Sequence, residues 1–114
     1  LLMVQRPPDV LLGGLWELPM IEIDPNTTRR DALEAALAER TGMQIKAGAQ
    51  LATVEHVFTH RRLTLEIYDV TSFEGQPTPF WYTKAAWLST AELSGIARSR
   101  LTDKVLSAVG YEAR

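Results

Sequence analysis

Apolar positions along the chain recur with two different periods. Across residues 28–41, Leu33, Ala36, Leu37 and Arg40 follow helical spacing with alanine-rich filling between them, which predicts an amphipathic helix. Thr27 or Thr28 is placed to cap its start, Asp31 suits the positive end of the helix dipole, and Gly42 is placed to end it in a left-handed conformation. Across residues 63–70 the period changes to two: Leu63, Leu65 and Ile67 alternate with Thr64, Glu66 and Tyr68, the pattern of a half-buried strand. Shorter apolar runs predict further strands at residues 1–5, 20–23, 50–57 and 80–88, the last rich in aromatics. Ser89-Thr90-Ala91-Glu92 is a capping box that opens a short helix. Residues 100–109, with Leu101, Val105, Ala108 and Val109 on one face, predict a final helix. Loops are expected at residues 7–19, with Gly13-Gly14 and three prolines, at the turn Asp24-Pro25-Asn26, and at residues 74–79. The order is strand, strand, helix, several strands, two helices. It predicts an α/β (α+β) layered arrangement around a mixed β-sheet, in a single domain spanning residues 1–114.

One junction in that pattern breaks the usual rule for turns. Between the strands of residues 50–57 and 63–70 lie Phe58-Thr59-His60-Arg61-Arg62. Strand reversals favour Gly, Asn or Asp because tight hairpins need positive φ. This one offers an aromatic ring, a hydroxyl, an imidazole and two guanidinium groups instead. Such side chains turn a chain poorly and recognise ligands well.

Composition narrows the classes of function. With 114 residues, 46% hydrophobic and 23% charged, the chain suits one ordinary globular domain. It has no cysteine, which removes disulfides, iron–sulfur ligation and thiol nucleophiles from this segment. No apolar run approaches the ~20 residues that span a bilayer, and no signal peptide is visible. The opening Leu1-Leu2-Met3-Val4 leads us to expect a segment of a longer protein. A net charge of −2 is unlike that of a free-standing nucleic-acid binder, so any contact with nucleic acid has to come from a local patch or from help elsewhere in the same protein.

The run from Gly14 to Met43, GLWELPMIEIDPNTTRRDALEAALAERTGM, resembles a Nudix segment, with Gly42-Met43 as its closing pair and Leu37 as the apolar position inside the helix. The functional positions of the Nudix pattern fail here. Its loop glycine falls on Ile21, its first glutamate on Thr27, its Arg-Glu pair on Ala35-Ala36 and its Glu-Glu pair on Glu39-Arg40. Hydrolysis in that family needs several carboxylates on one helix face to hold divalent metal against a diphosphate. Glu39 alone does not supply them. Asp31 and Glu34 share a face, which acidic residues near a helix N-terminus explain without a metal.

Two motifs, QRPPDVLLGGLWELP at residues 5–19 and HVFTH at residues 56–60, resemble the C-terminal domain of MutY-type A/G-specific adenine DNA glycosylases. The late Trp87-Leu88 followed by a helix containing Lys104-Val105-Leu106 is also similar, so the resemblance covers nearly the whole chain. It implies a Nudix-like α/β/α sandwich that hydrolyses nothing itself and reads 8-oxoguanine opposite adenine in base excision repair. The implied partners are double-stranded DNA carrying an 8-oxoguanine:adenine mispair and the N-terminal catalytic domain of the same chain, with no membrane and with a cytoplasmic, nucleoid-associated location. The resemblance implies no cofactor in this domain, and an iron–sulfur cluster in the absent helical domain of the parent. The alternative is an enzyme, a divergent Nudix hydrolase acting on oxidised nucleotides.

The site that the resemblance implies is Phe58, Thr59, His60, Arg61 and Arg62, with Thr59 where the family's Phe-Ser-His loop has serine. Guanine presents N7 as an acceptor, whereas oxidation at C8 turns N7 into a donor. An acceptor aimed at N7, a Thr59 hydroxyl or a loop carbonyl, therefore separates the two by about 1–3 kcal/mol. Because a hydroxyl also donates, backbone groups of the loop are expected to share the reading. Phe58 stacks near the lesion or belongs to the core. His60 contacts phosphate or a base edge, or is a solvent-exposed turn residue. His56 reads as a satisfied, semi-buried histidine. Arg61 and Arg62 are candidate phosphate ligands, but successive strand residues face opposite sides, so one of them is expected to serve. Trp16 is expected to pack the proline-rich loop onto the body. Arg98, Arg100 and Lys104 form a second basic cluster that reads as a solvated helix face. No catalytic residue and no metal ligand is assigned.

Overall fold

The computed structural model describes residues 1–24, 26 and 28–111. Its elements are β1 (Leu2–Gln5), β2 (Trp16–Glu17), α1 (Arg29–Thr41), β3 (Gln44–Phe58), β4 (Arg61–Glu74), β5 (Lys84–Trp87), α2 (Thr90–Leu93) and α3 (Arg100–Ala108). Two antiparallel sheets form, ordered β2-β1-β5 and β3-β4. Parallel pairing among the described residues is confined to an isolated bridge between Trp16 and Arg98, which ties β2 to the start of the α3 segment.

Strand β1 is central in its sheet, and Leu2, Met3 and Val4 are all buried. That explains a continuous apolar run rather than an alternating one. Met3 joins Leu93 of α2 and Leu106 of α3 in the fully buried core, with Leu1, Trp16, Leu18, Leu88 and Ile96 packed around them. Burial of each such side chain contributes about 1.5–3 kcal/mol. Trp16 thus packs the proline-rich loop onto the body as its position predicts, and its backbone N–H donates to the carbonyl of Ala97. Gly13 is needed for the loop's closure: a Cβ there would stand 2.5 Å from the Pro8 carbonyl oxygen.

Two expected strands change, and one strand forms where a loop was expected. Residues 20–23 form no strand; Trp16–Glu17, expected in a loop, supplies β2 instead. The loop folds back so that Arg6 and Leu15 share a backbone hydrogen bond, which brings residues 16 and 17 beside β1. The Met20 carbonyl accepts from Arg40 rather than from a ladder partner. The aromatic stretch predicted over residues 80–88 is a strand only at Lys84–Trp87. Backbone N–H groups of Thr78 and Phe80 donate to the carbonyls of Thr41 and Arg40, so this segment closes the C-terminus of α1. Helix α1 keeps its expected bounds: Thr28 stands at the N-cap position but its side chain makes no capping hydrogen bond, and Gly42, at φ 71°, ends the helix with an N–H bonded to Ala38. Thr27 as the alternative cap lies outside the described residues, as does Pro25 of the expected turn, whose Asp24 carboxylate accepts from the Asn26 N–H. The capping box predicted at Ser89 and Glu92 forms with both hydrogen bonds.

Both long strands exceed their predicted lengths. At about 3.3 Å per residue a straight β3 would measure roughly 45–50 Å, yet the longest dimension of the molecule is 33 Å. The strand therefore bends, and its register shifts between Lys46 and Ala52 are where it does so. The bend lets α1 bond to β3 at Ala47 and Gly48 while α3 reaches it at Glu55.

Candidate functional site

The tip of the β3–β4 hairpin is narrower than the sequence pattern predicts. Phe58 is the last residue of β3 and pairs with Arg61, the first of β4, so only Thr59 and His60 lie in the turn. Neither has positive φ, which excludes the primed turns that Asn-Gly and Gly-Gly sequences serve. The conformation explains how a threonine and a histidine come to be tolerated there. Both side chains are exposed.

The ladder register sorts the neighbours onto two faces. Val54, His56 and Phe58 sit opposite Leu65, Leu63 and Arg61, and this face contains the buried Val54. Glu55 and Val57 sit opposite Thr64 and Arg62 on the other face, where Val57 is 66% exposed. Arg61 and Arg62 are thus separated, as adjacent strand residues must be. Arg61 forms an ion pair with Glu22, both side chains being largely exposed. A surface pair of that kind is worth at most about 1 kcal/mol, so it is readily exchanged for another anion. Arg62 has no ion pair among the described residues.

Phe58 is half-buried, its ring edge-on to His56 at 4.7 Å between centroids. It therefore supports the tip from below and also belongs to it. His56 departs from expectation: its buried Nδ1 finds no protein hydrogen-bond partner among the described residues. Burial, and then the charges of Lys104 and Arg100, push its pKa below the usual histidine range and favour the neutral ring.

The second basic cluster divides. Arg98 is not solvated; it turns inward to the Asp103 carboxylate at 2.8 Å and to the carbonyl of Leu93. Arg100 and Lys104, one helical turn apart on α3, instead line an open groove of about 560 Å³ together with Val54, Asp103, Ser107 and Ala108. The four-residue spacing of these cations was the available signal, and without knowing which strand α3 packs on, it could not be connected to the tip.

The helix in the Nudix position uses its polar residues to hold the fold. Glu34 accepts from the backbone N–H of Ala47, Arg30 donates to the carbonyl of Gly48, and Arg29 pairs with Glu66 at 2.9 Å. These contacts clamp α1 to the bent part of β3 and to β4. Arg40, at the second position of the pattern's Glu-Glu pair, stacks its guanidinium 4.4 Å from the centre of the Trp81 ring, and Arg6 lies over the same ring at 5.6 Å. Arg6 also pairs with the buried Glu17 at 3.2 Å. Burial raises the Glu17 pKa, partly offset by the Arg6 charge and hydrogen bond and by Arg40. Burial likewise raises that of Tyr82, which lies close enough to Arg40 and Glu17 to feel both charges, although its hydroxyl forms no well-directed hydrogen bond. A divalent metal needs several convergent oxygen ligands. The described residues contain no group of three or more such side chains, Glu34 is already engaged, and Arg40 brings positive charge to the place. The residues present do not fit a metal of the hydrolytic kind.

No helix among the described residues is long and apolar enough to cross a membrane. The chain is similar to the adenine DNA glycosylase of Rattus norvegicus, with 35% identity over 108 residues, 92% of this chain and 21% of that protein. It therefore spans about a fifth of the length of that relative. It is also 35% identical over 74 residues to the 8-oxo-dGTP diphosphatase of Proteus vulgaris, covering 65% of this chain and 66% of that one. Among solved structures, the MutT NUDIX hydrolase from Burkholderia pseudomallei superposes with a TM-score of 0.77 over 96% of this chain and 85% of that chain, at 17% identity, a likeness of fold alone. These findings agree with both the Nudix-like architecture and the resemblance to adenine DNA glycosylases drawn from the motifs. The NUDIX domain family model matches residues 1–108, and the chain belongs to that family.

Proposed function

We propose that this chain is a non-catalytic DNA-reading domain of an adenine DNA glycosylase, and that it recognises 8-oxoguanine opposite adenine through the β3–β4 tip. The likeness to the rat glycosylase along nearly the whole chain supports the family of function. The observation that carries the reading is how the polar groups are used. Helix α1 spends Arg29, Arg30 and Glu34 on the hairpin, whereas Thr59 and His60 stand exposed at the hairpin's end. The Thr59 hydroxyl and the turn carbonyls supply acceptors for the N7–H of the oxidised base. His60 in the turn and Arg62 near the start of β4 are the groups offered to phosphate. The adenine-excising chemistry, and the flipping of the adenine out of the duplex that it requires, belong to a separate catalytic domain of the parent protein. Linkage to that domain raises the effective concentration of this one at the lesion, which accommodates its net charge of −2.

The test is a titration of this chain at low salt with duplexes containing 8-oxoguanine:adenine or guanine:adenine. A preference for the oxidised duplex that Thr59→Ala weakens is expected; equal affinity for the two duplexes would end the proposal. A second reading, hydrolysis of oxidised nucleotides, draws on the likeness to the Proteus diphosphatase. It requires magnesium-dependent release of pyrophosphate from an oxidised nucleoside triphosphate, and a single phosphate-release assay separates the two.

A further inference from the structure

The groove between α3 and β3 lies down the hairpin from the tip. Its floor includes Val54, two residues from His56 and four from Phe58 on the same strand face. Its wall carries Arg100 and Lys104, one turn apart on α3. Neither cation has an ion pair among the described residues. Asp103, the carboxylate in the lining, is committed to Arg98. Lys104 reaches the backbone carbonyl of Glu55 at 3.3 Å, so its ammonium is held against the strand that leads to Thr59. In a chain of net charge −2, two cations without an ion pair at an open groove leave a local positive strip, set on the strand that runs on to the tip. Burial first, and then these same two charges, favour the neutral state of His56 beside the groove.

We infer that this groove seats backbone phosphates of the DNA strand read by the tip, with Arg100 and Lys104 as the phosphate-neutralising pair. The inference rests on the DNA-reading function proposed above and adds a site that supplies affinity without sequence or lesion information. One strand then lies along α3 while its oxidised base meets the turn. Ser107, exposed in the same lining, adds a hydroxyl. Phosphate could also come from a free nucleotide, and the test separates the two sources.

The experiment follows backbone amide shifts of the chain during titration with a short lesion-bearing duplex, with its undamaged counterpart, and with inorganic triphosphate. Shifts at Arg100, Lys104, Ser107, Val54 and His56 with either duplex are expected. Arg100→Gln and Lys104→Gln should each weaken binding several-fold and lower the slope of log affinity against log salt by about 1, leaving the ratio between lesion and undamaged duplex unchanged. Lys104→Arg should retain the slope, and Lys84→Gln, on β5 of the other sheet, should leave it unaltered. Unchanged affinity and slope in both groove variants would overturn the inference. So would an equal loss from Lys84→Gln, triphosphate binding in the groove where duplex does not, or the absence of duplex shifts. Groove shifts with equal affinity for both duplexes would instead remove the lesion-reading function and leave the phosphate seat standing.

Discussion

Strand β1 keeps Met3 and Val4 wholly out of solvent, whereas the β3–β4 turn leaves Thr59 and His60 exposed. In the first region each side chain has neighbours from several elements, and Met3 meets α2 and α3 together. In the second, a ladder of backbone hydrogen bonds down the hairpin carries the structure, and the turn side chains are left without a structural task. That division allows one domain to be stable and to recognise something. The cost of an unconventional turn sequence is borne by a long hairpin, clamped at its root by Arg29, Arg30 and Glu34 of α1.

The contrast can be broken at several points. Leu106→Ala should have the largest effect, a loss of about 2–5 kcal/mol from the cavity it leaves. Denaturant unfolding measures it, and in the folded fraction the preference for lesion duplex should be intact. Arg6→Met comes next. It leaves buried Glu17 without its cation, at about 1–3 kcal/mol. Glu17's folded pKa already lies above its ordinary 4.5, so this carboxyl favours the folded state when protonated and opposes it when ionised. The deficit of the variant should therefore be greatest at neutral pH and shrink as pH falls through the raised folded value. Unfolding at the two pH values checks the sign.

Thr59→Ala should invert the pattern. It should remove about 1–3 kcal/mol of discrimination between the two duplexes while changing stability by less than about 0.5 kcal/mol. A large stability loss would show that the tip is structural after all. Ser89→Ala removes the hydroxyl that accepts from the Glu92 N–H and should cost about 1 kcal/mol without touching recognition. The smallest effect is a pH slope from His56. Its folded pKa lies below the unfolded 6.5, so the unfolded chain takes up the proton first. Its contribution is present in full above pH 6.5 and declines as pH falls through 6.5 towards the folded value. His56→Gln should flatten that slope in unfolding measurements.

Helix α1 and its Gly42 end, the capping box at Ser89, and the place of the Thr59–His60 tip could all be read from residues near one another in the chain. Spacing, capping and turn chemistry are local, and local energetics suffice to place such features. The departure from the Nudix pattern at Glu39-Arg40 is local in the same way, since Arg40 carries its charge wherever the helix lies. What the sequence could not settle was every feature whose partner is far along the chain. Trp16–Glu17 became a strand because β1 offered an edge, while the apolar residues 20–23 had no edge to join. The aromatic run lost its first half to the carbonyls at the end of α1. Arg98 and Arg100 are separated by a single residue, yet one is turned inward and the other lines a groove, a choice made by the packing of α3 on β3. Periodicity reports which face of an element avoids water; only assembly of the layers determines what that face meets.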